Sequence, residues 1–460
     1  MGKFQHGLKI TDTDGSIHTL DQEIGKGGQG VVWTLQKGNL AVKFLKVNKS
    51  SREEAIRRIQ RVRSLDLSLL PISVPWIALQ APAVGYIMKL VRGLKPICIL
   101  SQAPQESVSE WYITSGGLRW RLRILSAIAE IMANIHSKGL AFADPSPNNF
   151  MISPDPCDFP KVYLIDADNM ASTSQTGSRI LYTPRYGAPE LVNQKSGVTT
   201  LTDAHAFAVL AFELLALSHP LIGDDIADGE PEEEEKALAG HTPWVDHSSD
   251  NSNWSERGIA PREIVLSPRI QQLFKKTFED GLNDPQKRPG MGQWAEVLRQ
   301  AADMTVCCNR CTGSYYFNKQ GCPWCDAARD NPRLARFYIW DPEYQGREKF
   351  LKSQKGANKV IHAIALQKGI PQKIYKRHFI SDPLSEADTH LAEITLIGKE
   401  AIVRNLGSSP LYARSFPEHR EINEIEIPRD SEHRIPADGK EPRWYIHINS
   451  LNKTHRVLSI

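Results

Sequence analysis

A chain of 460 residues, 41% hydrophobic and 24% charged, has the make-up of a folded globular protein and exceeds one ordinary core, so about three domains are expected. Its formal net charge of +3 is close to neutral and gives no reason to expect a nucleic-acid partner. The longest apolar runs, Ile124 to Ile135 and Ala204 to Leu217, are interrupted by Glu130, His205 and Glu213 and fall short of a membrane span. The Met1 end lacks the charged-then-apolar pattern of a secretion signal, so a cytoplasmic protein with no membrane contact is expected.

In chain order, Leu20 to Val91 reads as short strands interrupted by one helix. Ile24 and Val31–Trp33 flank a cluster of glycines, and Leu40–Leu45 is a strand. Ser51–Ser64 is a charged helix with apolar residues at Ala55, Ile56, Ile59 and Val62, and Trp76–Gln80 and Val84–Val91 read as two further strands. From Leu118 helical periodicity takes over, as in Leu122–Ser137 and Ala204–Leu217. Residues 223–262 are rich in acidic, Gly, Asn and Ser residues and include Glu232–Glu235, the pattern of a solvated loop or helix start. Helical spacing returns at Pro268–Glu279 and Gly292–Ala302. Cys307, Cys308, Cys311, Cys322 and Cys325 then crowd one short segment, whereas Cys98 and Cys157 stand alone. Finally, Ile339–Ile460 carries alternating stretches such as Glu393–Val403 and Arg443–Ile448, separated by Gly, Pro, Asp and Ser, which predicts a β-rich domain.

Four short stretches in fixed order carry the chemistry: Gly25-Lys26-Gly27-Gly28-Gln29-Gly30, then Ala41-Val42-Lys43, then Asp144 with Asn149 five residues on, then Asp166 closing the apolar run Val162–Ile165. They supply a glycine flap whose backbone N–H groups approach phosphate oxygens, an ammonium for the phosphates, a carboxylate near an acceptor hydroxyl, and two oxygen ligands for magnesium. A dinucleotide-binding reading of the glycines fails, because they lead into a strand rather than a helix. The order and spacing resemble the eukaryotic-type (Hanks-type) Ser/Thr protein kinase family over residues 15–303.

The resemblance implies an α+β bilobal protein-kinase fold, with an N-lobe over about 15–92 and a C-lobe over 93–303. It implies ATP and Mg²⁺ as cofactors and a protein substrate, the chain itself included. Gly25, Gly27, Gly30 and Val32 would cover the nucleotide, Val32 lying on the adenine, and Lys43 would reach the α- and β-phosphates. Lys43 would pair with a glutamate of the following helix, either Glu53 or Glu54, with Glu54 preferred because it leaves Ala55, Ile56 and Ile59 to pack. Met88 would be the gatekeeper, and the backbone of Lys89 and Val91 would bind adenine. Asp144 falls at the catalytic base, and Asn149 and Asp166 at the magnesium ligands. The chain departs from the family where Ala143 replaces the arginine that receives an activation-loop phosphate, so activation need not depend on phosphorylation of Ser172, Thr173 or Ser174. Ser146 replaces a lysine, and Asp166-Ala167-Asp168 stands for Asp-Phe-Gly, leaving Asp168 either a turn aspartate or an extra group near the metal. Thr183–Glu190 resembles the end of an activation segment that shapes a peptide groove, with Thr183 beside the catalytic aspartate, Glu190 paired to Arg288, and Asp203 anchoring the catalytic loop.

Cys308-Asn309-Arg310-Cys311 and Cys322-Pro323-Trp324-Cys325 are two Cys-x-x-Cys knuckles, the ligand pattern of a structural Zn²⁺. The module, 304–330, resembles a zinc ribbon. The β-rich region, 335–460, resembles a forkhead-associated sandwich around Ala392–Ile394, Gly398 and Val403–Ser409, although Leu391 stands where that family has its histidine. The whole arrangement, with Pro243-Trp244-Val245 and Ser252-Asn253, is similar to bacterial kinases found with von Willebrand A-domain proteins and a PP2C-type phosphatase, which implies that partner set in a signalling or stress response. Two other readings remain at this stage: a nucleotide-binding pseudokinase scaffold acting through its zinc and β domains, and a small-molecule kinase.

Overall fold

The computed structural model describes residues 4–48, 51–67, 69–104, 106–172, 182–340, 360–380, 389–416, 424–438, 443–448 and 452–460. The chain forms two compact units, one of Met1–Val108 with Arg123–Glu296 and one of Ser109–Leu122 with Val297–Ile460.

The first unit opens with an antiparallel sheet of β1 (Lys9–Thr11), β2 (Ile17–Lys26), β3 (Gly30–Leu35), β4 (Leu40–Leu45), β5 (Ile77–Ala78) and β6 (Gly85–Lys89), in the order β1-β2-β3-β4-β6-β5. Alternation sends successive side chains to opposite faces. Leu20, Trp33, Val42, Phe44 and Ile87 pack together on one side, and Leu45, Val84 and Tyr86 meet Ala55 and Ile59 on the other. The last two belong to helix α1 (Arg52–Arg63), whose buried stripe is Ala55, Ile59 and Val62. Glu53 and Glu54 in its first turn and Arg61 and Arg63 in its last complement the helix dipole.

Helices dominate the rest of this unit. Thr200–Ala216 begins at a capping box formed by Thr199 and Thr202 and is buried on nearly every side. Phe212 meets Phe274 edge-on at 5.1 Å, and Phe207 meets Trp294 at 5.6 Å. The apolar stretch around 204–217 is thus a core helix. Among the described residues no helix is long and apolar enough to cross a membrane. The acidic Glu232–Glu235 lie on a short helix, Pro231–Leu238, that buries only Ala237.

In the second unit two antiparallel sheets face each other. One runs in the order His362–Leu366, Arg333–Trp340, His455–Ser459, Arg443–His447, Leu411–Phe416, Glu424–Ile427, and the other Gln372–Tyr375, His390–Ile397, Glu400–Asn405, Glu432–Pro436. Their inner residues, among them Phe337, Ile364, Ile394, Val403, Ile435 and Ile446, form one core. The alternating stretch Glu393–Val403 is two strands rather than one. The chain reverses between Ile397 and Glu400, which are paired in register, and Gly398 takes φ +62 there, a left-handed conformation that favours glycine. The cysteine module is a hairpin of Thr305–Cys307 and Ser314–Tyr316. Within this unit Trp324 stacks on Tyr112 at 5.2 Å, and Arg119 Nε donates to Thr305 Oγ1 at 2.7 Å.

Candidate active site

A cleft of about 650 Å³ in the first unit is lined by Gly25, Gly27, Gly30, Val32, Lys43, Met88, Lys89, Val91, Asp144, Asn149 and Asp166, together with Ser146 and Thr183. Of the residues named for the nucleotide site, Glu53, Glu54 and Asp168 are not on its wall.

The glycines serve different ends. Gly27 and Gly28 have open space where a side chain would go, but a Cβ on Gly30 would lie 2.2 Å from the Phe44 carbonyl oxygen across the β3–β4 ladder. Gly30 is therefore required by strand packing, whatever it does for a ligand.

The segment around Asp144 is held from several directions. Asp203, fully buried near the start of its helix, accepts hydrogen bonds from the backbone N–H of Phe142 at 2.6 Å and of Ala143 at 2.9 Å, and contacts His136 Nε2 at 2.9 Å. Ala143 takes φ +83, a conformation uncommon without glycine. Asp144 accepts from the Thr183 N–H and hydroxyl, each at 3.0 Å, and from Asn149 Nδ2 at 3.0 Å. Burial pushes its carboxyl up, and these donors only partly counter the rise. Asn149 spends its amide nitrogen on Asp144, with the backbone oxygen as second acceptor at 2.9 Å, so its oxygen is the atom left for a cation. Farther off, Arg288 grips Glu190 through two bonds of 2.7 and 2.8 Å.

Lys43 is the principal departure from the sequence-based expectation. Glu53 and Glu54 are exposed, and Glu53 lies 3.7 Å from Arg57; neither meets Lys43. The Lys43 ammonium instead contacts Asp166 and, at 2.9 Å, Asp168. The physical reason is where α1 lies along its own axis, since Glu54 and Arg58 share one face. Ala55, Ile59 and Val62 pack inward, which carries Arg58, one turn beyond Glu54, to 3.3 Å from Asp168. Tyr86 adds its hydroxyl to Asp168 at 3.0 Å. Burial would lower the Lys43 ammonium, but Asp168 and Asp166 hold it above its usual value. Burial would raise both carboxyls. Lys43 and Arg58 reverse this for Asp168, which stays below the usual range, whereas Asp166 is pushed up to about 6. Sequence reasoning did not single out Arg58 or Tyr86. The available signal was the cross-strand pairing of Lys43 with Tyr86 and the four-residue step from Glu54 to Arg58, which keeps one helix face.

In the second unit the sulfurs of Cys308, Cys311, Cys322 and Cys325 all lie within 4.8 Å of one another. Cys308 to Cys325 and Cys311 to Cys322 are each 3.6 Å apart, close to the ~3.8 Å edge of a tetrahedron with ~2.3 Å zinc–sulfur bonds. The Arg310 N–H points at the Cys308 sulfur at 3.4 Å. Cys307 is not one of the four; its backbone N–H donates to Gln367 Oε1 at 2.7 Å. The four-cysteine set therefore fits a structural Zn²⁺.

The protein kinase domain family matches residues 18–300, and the chain belongs to that family, in its eukaryotic type. Similar proteins include human death-associated protein kinase 2, 25% identical over 300 residues, 62% of this chain and 75% of that protein. Protein kinase YegI of Escherichia coli is 25% identical over 349 residues, 72% of this chain and 51% of that protein. The serine/threonine-protein kinase pkn2 of Myxococcus xanthus is 29% identical over 224 residues, 46% of this chain and 25% of that protein. The chain thus spans about half of the E. coli relative and a quarter of the Myxococcus one.

Proposed function

We propose that this protein transfers the γ-phosphoryl group of ATP to serine or threonine hydroxyls of protein substrates, itself included. The observation that carries the reading is the gathering of Lys43, Asp144, Asn149 and Asp166 on one cleft beneath the glycine flap. Asp144, held by Thr183 and Asn149, orients the acceptor hydroxyl and takes its proton as that oxygen bonds to phosphorus and the bond to the ADP oxygen breaks. Its raised basicity suits the role. Lys43 contributes positive charge to the phosphates, and the backbone of Lys89 and Val91, at the end of β6, holds adenine. Asn149 and Asp166 would hold Mg²⁺, which when bound neutralises charge on the phosphates.

The same reading divides the chain into a kinase domain over 15–303, a zinc ribbon over 304–330 with Zn²⁺ on Cys308, Cys311, Cys322 and Cys325, and a β domain over 335–460 related to forkhead-associated sandwiches. The two facing sheets support the last of these. A cytoplasmic site, where a reducing milieu keeps the thiolates free for metal, belongs to the same reading, and partners of the von Willebrand A-domain and PP2C-type phosphatase classes rest on resemblance. Incubating the full chain with labelled ATP, Mg²⁺ and a generic protein substrate tests the central claim. Phosphoserine or phosphothreonine is expected; tight ATP binding with no transfer would favour the pseudokinase scaffold.

A further inference from the structure

Asp168 lies outside the cleft lining that contains Asp166 and is fully buried. Both of its oxygens are engaged. Oδ1 accepts from Lys43 at 2.9 Å and from the Tyr86 hydroxyl at 3.0 Å, and Oδ2 faces Arg58 at 3.3 Å. A turn aspartate bonds backbone N–H groups close by in sequence, whereas these partners lie 125, 82 and 110 residues away. A metal-shell aspartate would present an oxygen to the cleft, and this one is covered. Lys43 is itself 5% exposed, and a buried ammonium left without a counter-charge is strongly disfavoured. Asp166, its other contact, is the carboxylate that a magnesium ion would recruit.

We propose that Asp168 is the positioning residue of Lys43, taking the place of a helix glutamate, with Tyr86 and Arg58 fixing its orientation. The inference rests on reading the cleft as the phosphoryl-transfer site. It explains how Lys43 keeps a partner when Asp166 is committed elsewhere. Asp168 also sits on the same 3-10 turn, Ala167–Asn169, that follows Asp166, so one segment sets both the lysine and the metal carboxylate. Asn169 of that turn donates to Gln29 Oε1 of the glycine loop at 3.2 Å. Helix α1 contributes a cation, through Arg58, to a carboxylate held elsewhere, so alignment of Lys43 does not depend on a glutamate swinging in with the helix.

The test uses the full chain with Asp168→Asn, Lys43→Met and the double variant, measuring kcat and KM for ATP, affinity for a fluorescent ATP analogue, and the thermal midpoint. Asp168→Asn is expected to lower kcat about tenfold or more with a much smaller change in KM. The double variant should be no slower than Lys43→Met alone, because both remove one pairing. Arg58→Glu in the Asp168→Asn background, which returns a carboxylate from the helix, should recover part of the rate; a purely structural role would give no such rescue. Wild-type kcat in Asp168→Asn, losses that multiply in the double variant, or a rise in activity would each overturn the proposal, the last by marking the contact as an inhibitory clamp. Should Asp168→Asn not fold, Tyr86→Phe removes a single donor and should still lower kcat a few-fold; an unchanged kcat there would sink the idea. If the wild type transfers no phosphate, the reading of the cleft fails. The pairing is then judged by analogue affinity, in which Asp168→Asn and Lys43→Met should produce the same small change without adding; unequal or additive changes would overturn it.

Discussion

Asp144 and Arg288 mark two ways in which a single side chain matters in the first unit. Asp144 receives three hydrogen bonds, two from Thr183 and one from Asn149, so Asp144→Asn keeps an acceptor for Thr183 while removing the base. Turnover is expected to fall about a hundredfold or more, with the thermal midpoint close to wild type; radiolabel incorporation beside a melting curve checks both. Arg288 has a fully buried side chain clamped to Glu190, and Arg288→Ala strands that carboxylate. A loss of about 3 kcal/mol is expected, read by denaturant unfolding, and a loss below about 1 kcal/mol would mean that Glu190 finds water. The absence of an arginine at Ala143 predicts that phosphatase-treated protein retains most of its activity toward an added substrate. Of the loop hydroxyls Ser172, Thr173 and Ser174, the last two lie outside the described residues.

At the scale of elements, the cysteine hairpin is too small to fold on its own apolar area. It is joined to Gln367 through both its backbone N–H and carbonyl at Cys307, at 2.7 and 2.8 Å. Elemental analysis should find about one zinc per chain. Cys311→Ser or Cys322→Ser should lower that content, and a strong chelator should raise hydrogen exchange in 305–330 well before the rest of the chain responds. A wild-type hairpin that stays protected without metal would refute this. Helix α1 and the β3–β4 pair behave differently, because their positions are set by packing across the sheet. Gly30→Ala should destabilise the first unit by about 1–3 kcal/mol, since a new methyl would meet the Phe44 carbonyl oxygen at 2.2 Å.

At the scale of a whole unit, the second one contains a buried charge cluster at the end of helix Met291–Asp303. Asp303 meets Arg377 at 3.0 Å, His362 at 2.9 Å and His378 at 3.2 Å. Burial would raise the Asp303 carboxyl, but Arg377 and the two histidines hold it well below its usual range. Burial, reinforced by Arg377, pushes His378 down to about 3, and its Nδ1 accepts the Tyr375 N–H at 3.0 Å, which requires the neutral ring. As pH falls below about 6.5 the unfolded chain protonates this histidine while the folded one does not, so stability drops by about 2 kcal/mol by pH 5. The depressed Asp303 keeps its contribution until pH falls below the ordinary carboxylate range. Hydrogen exchange of the sandwich strands at pH 7.5 and 5 should show this acid sensitivity, and His378→Gln should lessen it, the remainder coming from His447, which burial also pushes down to about 3.

Features set by local pattern are legible in the chain before it folds. The glycine cluster before a strand, the lysine on the next strand, the aspartate and asparagine five residues apart, the two cysteine knuckles and the helical or alternating periodicities are set by steric and hydrogen-bonding rules acting over a few residues. What depends on the placement of a helix along its axis and on long-range contact arises only in the folded chain. Glu54 and Arg58 share one face of α1, and only packing of Ala55, Ile59 and Val62 against the sheet selected which turn reaches Asp168. Asp168 reads in sequence as either a turn residue or an extra group near the metal, and it becomes a buried counter-ion because partners more than 80 residues away close over it, a contact that no local periodicity encodes.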